Sequence, residues 1–391
     1  MNTVYAETIK MMIYGILSFL IAFWWAPHLI RLLKWLKFWK KKHRTLGSDG
    51  QELVVTKKFY TENEHNSNTT PRAGGILIWV TTIFIALFFW IFLKIEGNNE
   101  TFQFLNFIDR RTTWIPLGIL LFSAILGFID DTLVTMEDGG NYHAGGLKLR
   151  QRAMAIALMS LLVGLWLHFK LTDIGNVNFL HKIILPIWNG SYQSWLRFDL
   201  TSISPQFTIP IFNFLVPAGW ALIPFTIIVV LSAWGGSVID GFDGLYAGCI
   251  IPMYLAFAGI AVNLGQYKIA TFLVVIIGAT LAYLWYNISP AQFHMGDTGS
   301  TSLLVTIAVV AIILNRTYLL PIAGLMFYVT AMSNIIQLTS KKFFKRKIFL
   351  AAPIHHHFEA KGYTKEMITI RYWLVSIVCS MIALVLGLII K

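Results

Sequence analysis

Residues 269–300 read IATFLVVIIGATLAYLWYNISPAQFHMGDTGS. No charged side chain occurs in 269–288. An apolar run of that length suits one α-helical crossing of a hydrocarbon core, where each backbone amide is bonded within its own segment. The run ends at a proline, and the polar turn after it holds one carboxylate, Asp297, flanked by Gly296 and Gly299. Another apolar run then fills 299–314. This alternation of long uncharged run and short polar turn sets the reading of the whole chain.

Working outward, ten apolar runs bounded by charge or Gly/Pro clusters occupy 11–33, 74–95, 113–129, 153–170, 211–233, 244–264, 269–288, 299–314, 317–339 and 368–390. The expectation is an all-α integral membrane protein of about ten transmembrane helices, a single polytopic domain over residues 1–391. Composition agrees: 56% of the residues are hydrophobic and 13% charged, half the roughly 25% charge of a soluble domain. Residues 171–210 interrupt the pattern, because their apolar stretch, 179–188, is too short to span. They are read as an extracytoplasmic excursion. Pro217 and Pro224 mark 211–233 as a candidate for bending. The run from Met11 lacks a small-residue cleavage site and reads as a span, not a removed signal. Cys249 and Cys379 lie in apolar stretches without ligand spacing, which gives no basis for a disulfide framework.

Lysine and arginine set the orientation. The loops after the first, third, fifth, seventh and ninth runs together hold about twice as many as the opposite face. Those loops are therefore predicted to be cytoplasmic, with both termini on the extracytoplasmic side. Basic clusters at Lys37, Lys40, Lys41, Lys42 and Arg44, and at Lys341, Lys342, Lys345, Arg346 and Lys347, read as anchors on anionic lipid. The charges flank spans and form no basic face with interleaved aromatics, so no nucleic-acid module is expected.

Acidic residues number only 19, and their placement is informative. Asp130 and Asp131 close the third run in GFIDD, Asp240 and Asp243 sit in IDGFDGL, and Asp297 sits in HMGDTGS. His355, His356 and His357 occupy PIHHHFE, and TPRAGG, from Thr70 to Gly75, precedes the second run. Each cluster alone has a bland reading as a helix cap, a loop turn or a solvated tract. All five fall on the same predicted face, and carboxylates beside hydrocarbon are costly unless paired or metal-bound. One shared site is the better account. Several aspartates suit Mg²⁺, which takes oxygen ligands and keeps waters or phosphates in its shell. The adjacent glycines allow backbone to approach phosphate, and Arg150 and Arg152 supply cations for phosphate oxygens. The set points to phosphoryl transfer between a soluble donor and a lipid acceptor, on a cytoplasmic-face active site.

In chain order these motifs resemble the polyprenyl-phosphate N-acetylhexosamine-1-phosphate transferases. PIHHHFE, followed by Lys361-Gly362-Tyr363 and Arg371-Tyr372-Trp373, is most similar to the phospho-N-acetylmuramoyl-pentapeptide transferases of peptidoglycan synthesis. The resemblance implies transfer from UDP-MurNAc-pentapeptide to undecaprenyl phosphate, giving lipid I and UMP, with Mg²⁺ as cofactor. It implies a multi-pass protein of the bacterial inner membrane, and a homodimer. Carried over by position, it makes Asp297 the principal metal ligand and puts Asp130 and Asp131 beside the reacting phosphates, one taking the acceptor's proton or assisting the metal. Asp240 and Asp243 would line the nucleotide pocket, with Asn287 at the nucleotide site and His294 stacking on uracil. His355 to His357 would contact the sugar-phosphate region, His356 foremost. Trp234 and Ser237 stand where the family has asparagines, and Thr330 where it has a glutamate. Two rival readings are a sister transferase for another UDP-sugar and a metal or proton-coupled transporter.

Overall fold

The computed structural model of the chain describes residues 2–39, 70–95, 104–109, 112–136, 146–172, 206–209, 214–217 and 219–390. Eight long helices come first: α1 (Asn2–Trp35), α2 (Ile76–Ile95), α3 (Trp114–Met136), α4 (Leu149–Thr172), α5 (Leu222–Trp234), α6 (Leu245–Asn263), α7 (Tyr267–Asn287) and α8 (Gly296–Ile313). They are followed by α9 (Leu320–Ala323), α10 (Leu325–Phe343), α11 (Ile354–Ala360) and α12 (Lys365–Ile389). A small antiparallel hairpin of β1 (Gln206–Ile209) and β2 (Phe214–Pro217) lies between α4 and α5, in the register Gln206 opposite Pro217. Among the described residues, nine helices are long and apolar enough to cross a membrane, or ten if α9 with its preceding turn and α10 form one bent span. This is the architecture of a multi-pass membrane protein.

The bundle is built around α8. In its apolar window 89% of residues are buried, against 78% in α6, 72% in α7 and only 28% in α12, which places α12 at the periphery. The sequence of α8 explains its central place. It begins GDTGSTS, and small residues let neighbouring backbones come close where lipid supplies no hydrophobic drive between helices. At Gly127 of α3 a Cβ would collide with the Asp297 backbone, so glycine is what lets α3 lie against the start of α8. From the other side, the α6 hydroxyls of Tyr246 and Tyr254 donate to the carbonyls of Ser300 and Leu303, both at 2.7 Å. The remaining packing pairs chain neighbours, α6 with α7 and α4 with α5, and joins distant elements, α1 with α7 and α12 with α6.

Several predicted boundaries shift, each for a physical reason. α3 does not stop at Asp130 and Asp131 but runs on to Met136, because both carboxylates have partners there and need not face water. Asp297 lies inside the first turn of α8 and not in the connecting loop. The predicted span 211–233 reduces to α5 plus a 3-10 turn at Gly235–Ile239. Pro217 ends a strand, and Pro224 is the third residue of α5, where its missing N–H forfeits no intrahelical bond. The bend falls elsewhere, in the run read as 317–339, where the segments on either side of Gly324 are set 80° apart. The histidines belong to the short helix α11. Of the predicted excursion 171–210, residues 171–172 end α4 and 206–209 form β1; the rest lies outside the described residues.

Candidate active site

The three aspartates nearest the centre are brought together by α3, α8 and the beginning of α4. Asp130 and Asp131 are 1% and 0% exposed. Asp131 Oδ2 accepts from the Thr298 N–H at 3.0 Å, and its Oδ1 faces Arg72 Nε at 3.6 Å. Asp130 Oδ1 accepts from the Leu147 N–H at 2.6 Å. The Arg152 guanidinium then spans two carboxylates: Nη2 lies 2.7 Å from Asp130 Oδ2, and Nη1 donates to Asp297 Oδ2 at 2.8 Å. The first of these is an ion pair by distance, without the direction of a hydrogen bond. Arg152 Nε donates to the Leu147 carbonyl at 3.1 Å, which closes the loop before α4 onto Asp130. Arg150 is exposed two residues away on the first turn of α4.

Arg72 is fixed through the backbone. His294 N–H donates to the Pro71 carbonyl, Gly74 N–H to the His294 carbonyl and Gly75 N–H to the Met295 carbonyl, at 2.8, 2.8 and 2.9 Å. This short ladder lays TPRAGG along HMGD, with Thr70 half-buried just ahead of it. Gly296 takes φ +72°, and a Cβ there would run into the Asp131 carboxylate. A side chain is therefore excluded twice over. Burial works against the charge of Arg72, but Asp131, Asp297, Asp240 and Asp130 outweigh it and hold its pKa above the ordinary value. Asp240 is pushed up to about 7 by burial and by Asp297, against the pull of Arg72 and a hydrogen bond from the Gly296 backbone.

IDGFDGL links this acidic centre to the histidines. Asp243 Oδ2 accepts from the Ala291 N–H at 3.1 Å, and its Oδ1 lies 3.7 Å from His294 Nδ1. Burial, helped by Arg72 and opposed by Asp243, lowers the His294 pKa, so the ring is neutral at pH 7. Asn287 has both ends of its amide on backbone: Oδ1 accepts from Gly244 N–H at 2.9 Å and Nδ2 donates to the Phe293 carbonyl at 2.8 Å. It thus braces the two turns. Phe242 packs edge-on against His355 and His356, with ring centroids at 5.0 and 5.1 Å.

The three histidines differ. His355 is buried, its nitrogens have no hydrogen-bond partner, and burial followed by the neighbouring His356 lowers its pKa to about 3. His356 is held by Glu359 at 2.8 Å, and Lys365 lies 3.7 Å from the same carboxylate. His357 Nδ1 accepts from the Leu350 N–H at 3.1 Å, a turn-bracing role. Sequence reading missed Glu359 and Phe242 as site residues, although Glu359 stands three residues after His356, the spacing of neighbours on a helix. It also left Arg72 unassigned inside TPRAGG. Trp234 was legible only as a departure from the family pattern.

Beside Arg152 lies a small cleft with room for about one water molecule. Its lining combines the apolar Leu126, Ile156 and Trp234 with the charged Asp130, Arg152 and Asp297. This mixed lining has the chemistry that a phosphate joined to a hydrocarbon would need, although the space itself is small. Among the described residues, no three His, Cys, Asp or Glu side chains form a complete metal cage. The donor chemistry still fits Mg²⁺, which is commonly held by one or two carboxylates plus substrate phosphates. Asp130 Oδ2 and Asp131 Oδ1 are buried oxygens without hydrogen-bond partners.

Residues 113–315 match the family model described as glycosyl transferase family 4. The chain is 30% identical over 398 residues to a protein of Leptospira biflexa serovar Patoc named phospho-N-acetylmuramoyl-pentapeptide-transferase, covering 96% of this chain and 92% of that one. A protein of the same name from Methylacidiphilum infernorum is 30% identical over 337 residues, covering 82% and 80% of the two chains. A third, from Wolbachia sp. subsp. Drosophila simulans, is 28% identical over 372 residues, covering 93% and 94%.

Proposed function

The chain belongs to glycosyl transferase family 4, together with the phospho-N-acetylmuramoyl-pentapeptide-transferases, and we propose that it transfers phospho-N-acetylmuramoyl-pentapeptide from UDP-MurNAc-pentapeptide to undecaprenyl phosphate in peptidoglycan synthesis. An oxygen of the lipid phosphate attacks the β-phosphorus of the donor. The bond from that phosphorus to the bridging oxygen breaks, and UMP leaves with the oxygen, so lipid I retains the β-phosphate. A monoester phosphate has a second pKa near 6 and is largely dianionic at neutral pH, so Asp130 or Asp131 assists as base without being obligatory.

The observation that carries this reading is the meeting of Asp130, Arg152 and Asp297 at a cleft also lined by the apolar Leu126, Ile156 and Trp234. Arg152 and Arg72 hold phosphate oxygens as charge develops. The neutral ring of His294 stacks on uracil beside Asp240 and Asp243, and His356, oriented by Glu359, contacts the sugar-phosphate. Mg²⁺, held by Asp297 with Asp130 and Asp131 beside it, would neutralise the pyrophosphate charge. In this reading the site opens on the cytoplasmic side of the bacterial inner membrane, both termini lie outside, and two copies form a homodimer.

The test is an assay of the purified protein with UDP-MurNAc-pentapeptide, Mg²⁺ and undecaprenyl phosphate. Formation of lipid I and UMP is expected. Faster turnover of another UDP-sugar would replace the donor named here. Exchange of labelled UMP into the donor without acceptor would replace direct attack by an aspartyl-phosphate route.

A further inference from the structure

Arg152 does more in this structure than wait for a phosphate. Its two terminal nitrogens lie 2.7 and 2.8 Å from oxygens of different carboxylates, Asp130 and Asp297. A divalent ion held by these carboxylates would compete with the guanidinium, because a fork bridging two carboxylates and a hard cation ask for the same oxygens. Asp131 is held separately, by Arg72 and the Thr298 N–H. The arginine also has a way out. Its side chain is 27% exposed and borders the open cleft, while that of Asp130 is 2% exposed.

We propose that Arg152 is an exchangeable internal cation: its guanidinium neutralises the Asp130–Asp297 pair, and its transfer onto a substrate phosphate would free those carboxylates to help hold a divalent ion. The inference rests on the metal reading above. Its content is an order of events and a competition. Phosphate oxygens offer the guanidinium the same bidentate contact that the carboxylates do. Anion and metal therefore bind cooperatively, each favouring the arrangement the other needs, and the coupling is reciprocal. With the guanidinium in place the carboxylates stay neutralised in a buried setting, where an unpaired charge is costly. The Leu147 carbonyl, which accepts from Arg152 Nε at 3.1 Å, is the contact the side chain gives up on leaving.

The experiment uses purified full-length protein and Mn²⁺ as a spectroscopic probe, with no nucleotide or lipid substrate; the loss of the free-ion electron paramagnetic resonance signal reads binding. Arg152→Gln is expected to bind Mn²⁺ roughly tenfold more tightly than the parent, a screened fraction of one unit charge at contact distance. Arg152→Lys keeps the charge but replaces the fork with one ammonium, and should fall between the two. Lys148→Gln removes an equal charge from the exposed loop and should stay within about twofold of the parent. Mn²⁺ should also raise the melting temperature of Arg152→Gln by more than that of the parent. Equal or weaker binding by Arg152→Gln, or a Lys148→Gln variant that matches it, overturns the exchange and leaves the metal site standing. Absence of binding by parent and Arg152→Gln alike removes the metal reading itself.

Discussion

At the scale of single residues, the site separates groups that touch substrate in the proposed reaction from groups that hold them in place. Asp297 stands in the first turn of α8, where the helix dipole favours a negative charge and the side chain is still partly open. Asp297→Ala should reduce Mg²⁺-dependent lipid I formation roughly 100- to 1,000-fold or more, with the melting profile and membrane insertion kept; near-parental turnover would take Asp297 out of the mechanism. Glu359 acts through His356. Glu359→Gln should cost about tenfold in kcat, the scale of a hydrogen bond to a charged partner, and leave donor KM nearly constant. A rise confined to KM would make Glu359 a direct substrate contact instead. His355 carries a pH signature. Its imidazole titrates near 6.5 in an unfolded chain but only at about 3 when buried. Between those values the unfolded state binds the extra proton, so stability falls as pH drops through that window. The melting temperature of His355→Gln should rise relative to the parent from pH 6.5 to 4; a constant difference would show that His355 is already charged in the fold.

At the scale of elements, the packing of α3 against α8 and against the start of α4 is what makes two carboxylates tolerable inside a helix. Gly127→Ala forces those helices apart, and we expect about 1–3 kcal/mol of destabilisation, as for overpacking elsewhere, with catalytic loss out of proportion because Asp130 moves with the helix. Thermal melting and turnover, measured together, check it. Pro224 gives the opposite expectation. Lying in the first turn of α5, it should tolerate Pro224→Ala with less than about 1 kcal/mol of change, whereas a kink-forming proline would not. The apolar runs were readable because length and lack of charge are properties of the sequence itself. Their ends were not, where tertiary partners override local signals. Asp130 and Asp131 look like a helix terminus until Arg72, Arg152 and the Thr298 N–H supply partners. Gly324 gave no more warning of a bend than the other glycines in the spans.

Across the whole molecule, the motifs legible in the sequence do converge, but through intermediaries that no motif names. Phe242 joins the histidines to the aspartate turn, and the pairing of TPRAGG with HMGD carries Arg72 to Asp131. Asn287 and His357, given substrate roles by position, also bond to backbone and brace the turns around them. Orientation is the global property that charge alone predicts. A C-terminal alkaline phosphatase fusion should be active if the ends lie outside; an inactive fusion, with an active cytoplasmic reporter at the same point, would invert the topology.

The Asp130–Arg152 pair joins helices adjacent in the chain, whereas Asp297 arrives 145 residues after Arg152. A growing polypeptide can therefore insert α3 and α4 as a hairpin in which Asp130 is already compensated. The last carboxylate docks later, when α8 is made. On this view the arginine first serves biogenesis, compensating Asp130 before there is any substrate to bind.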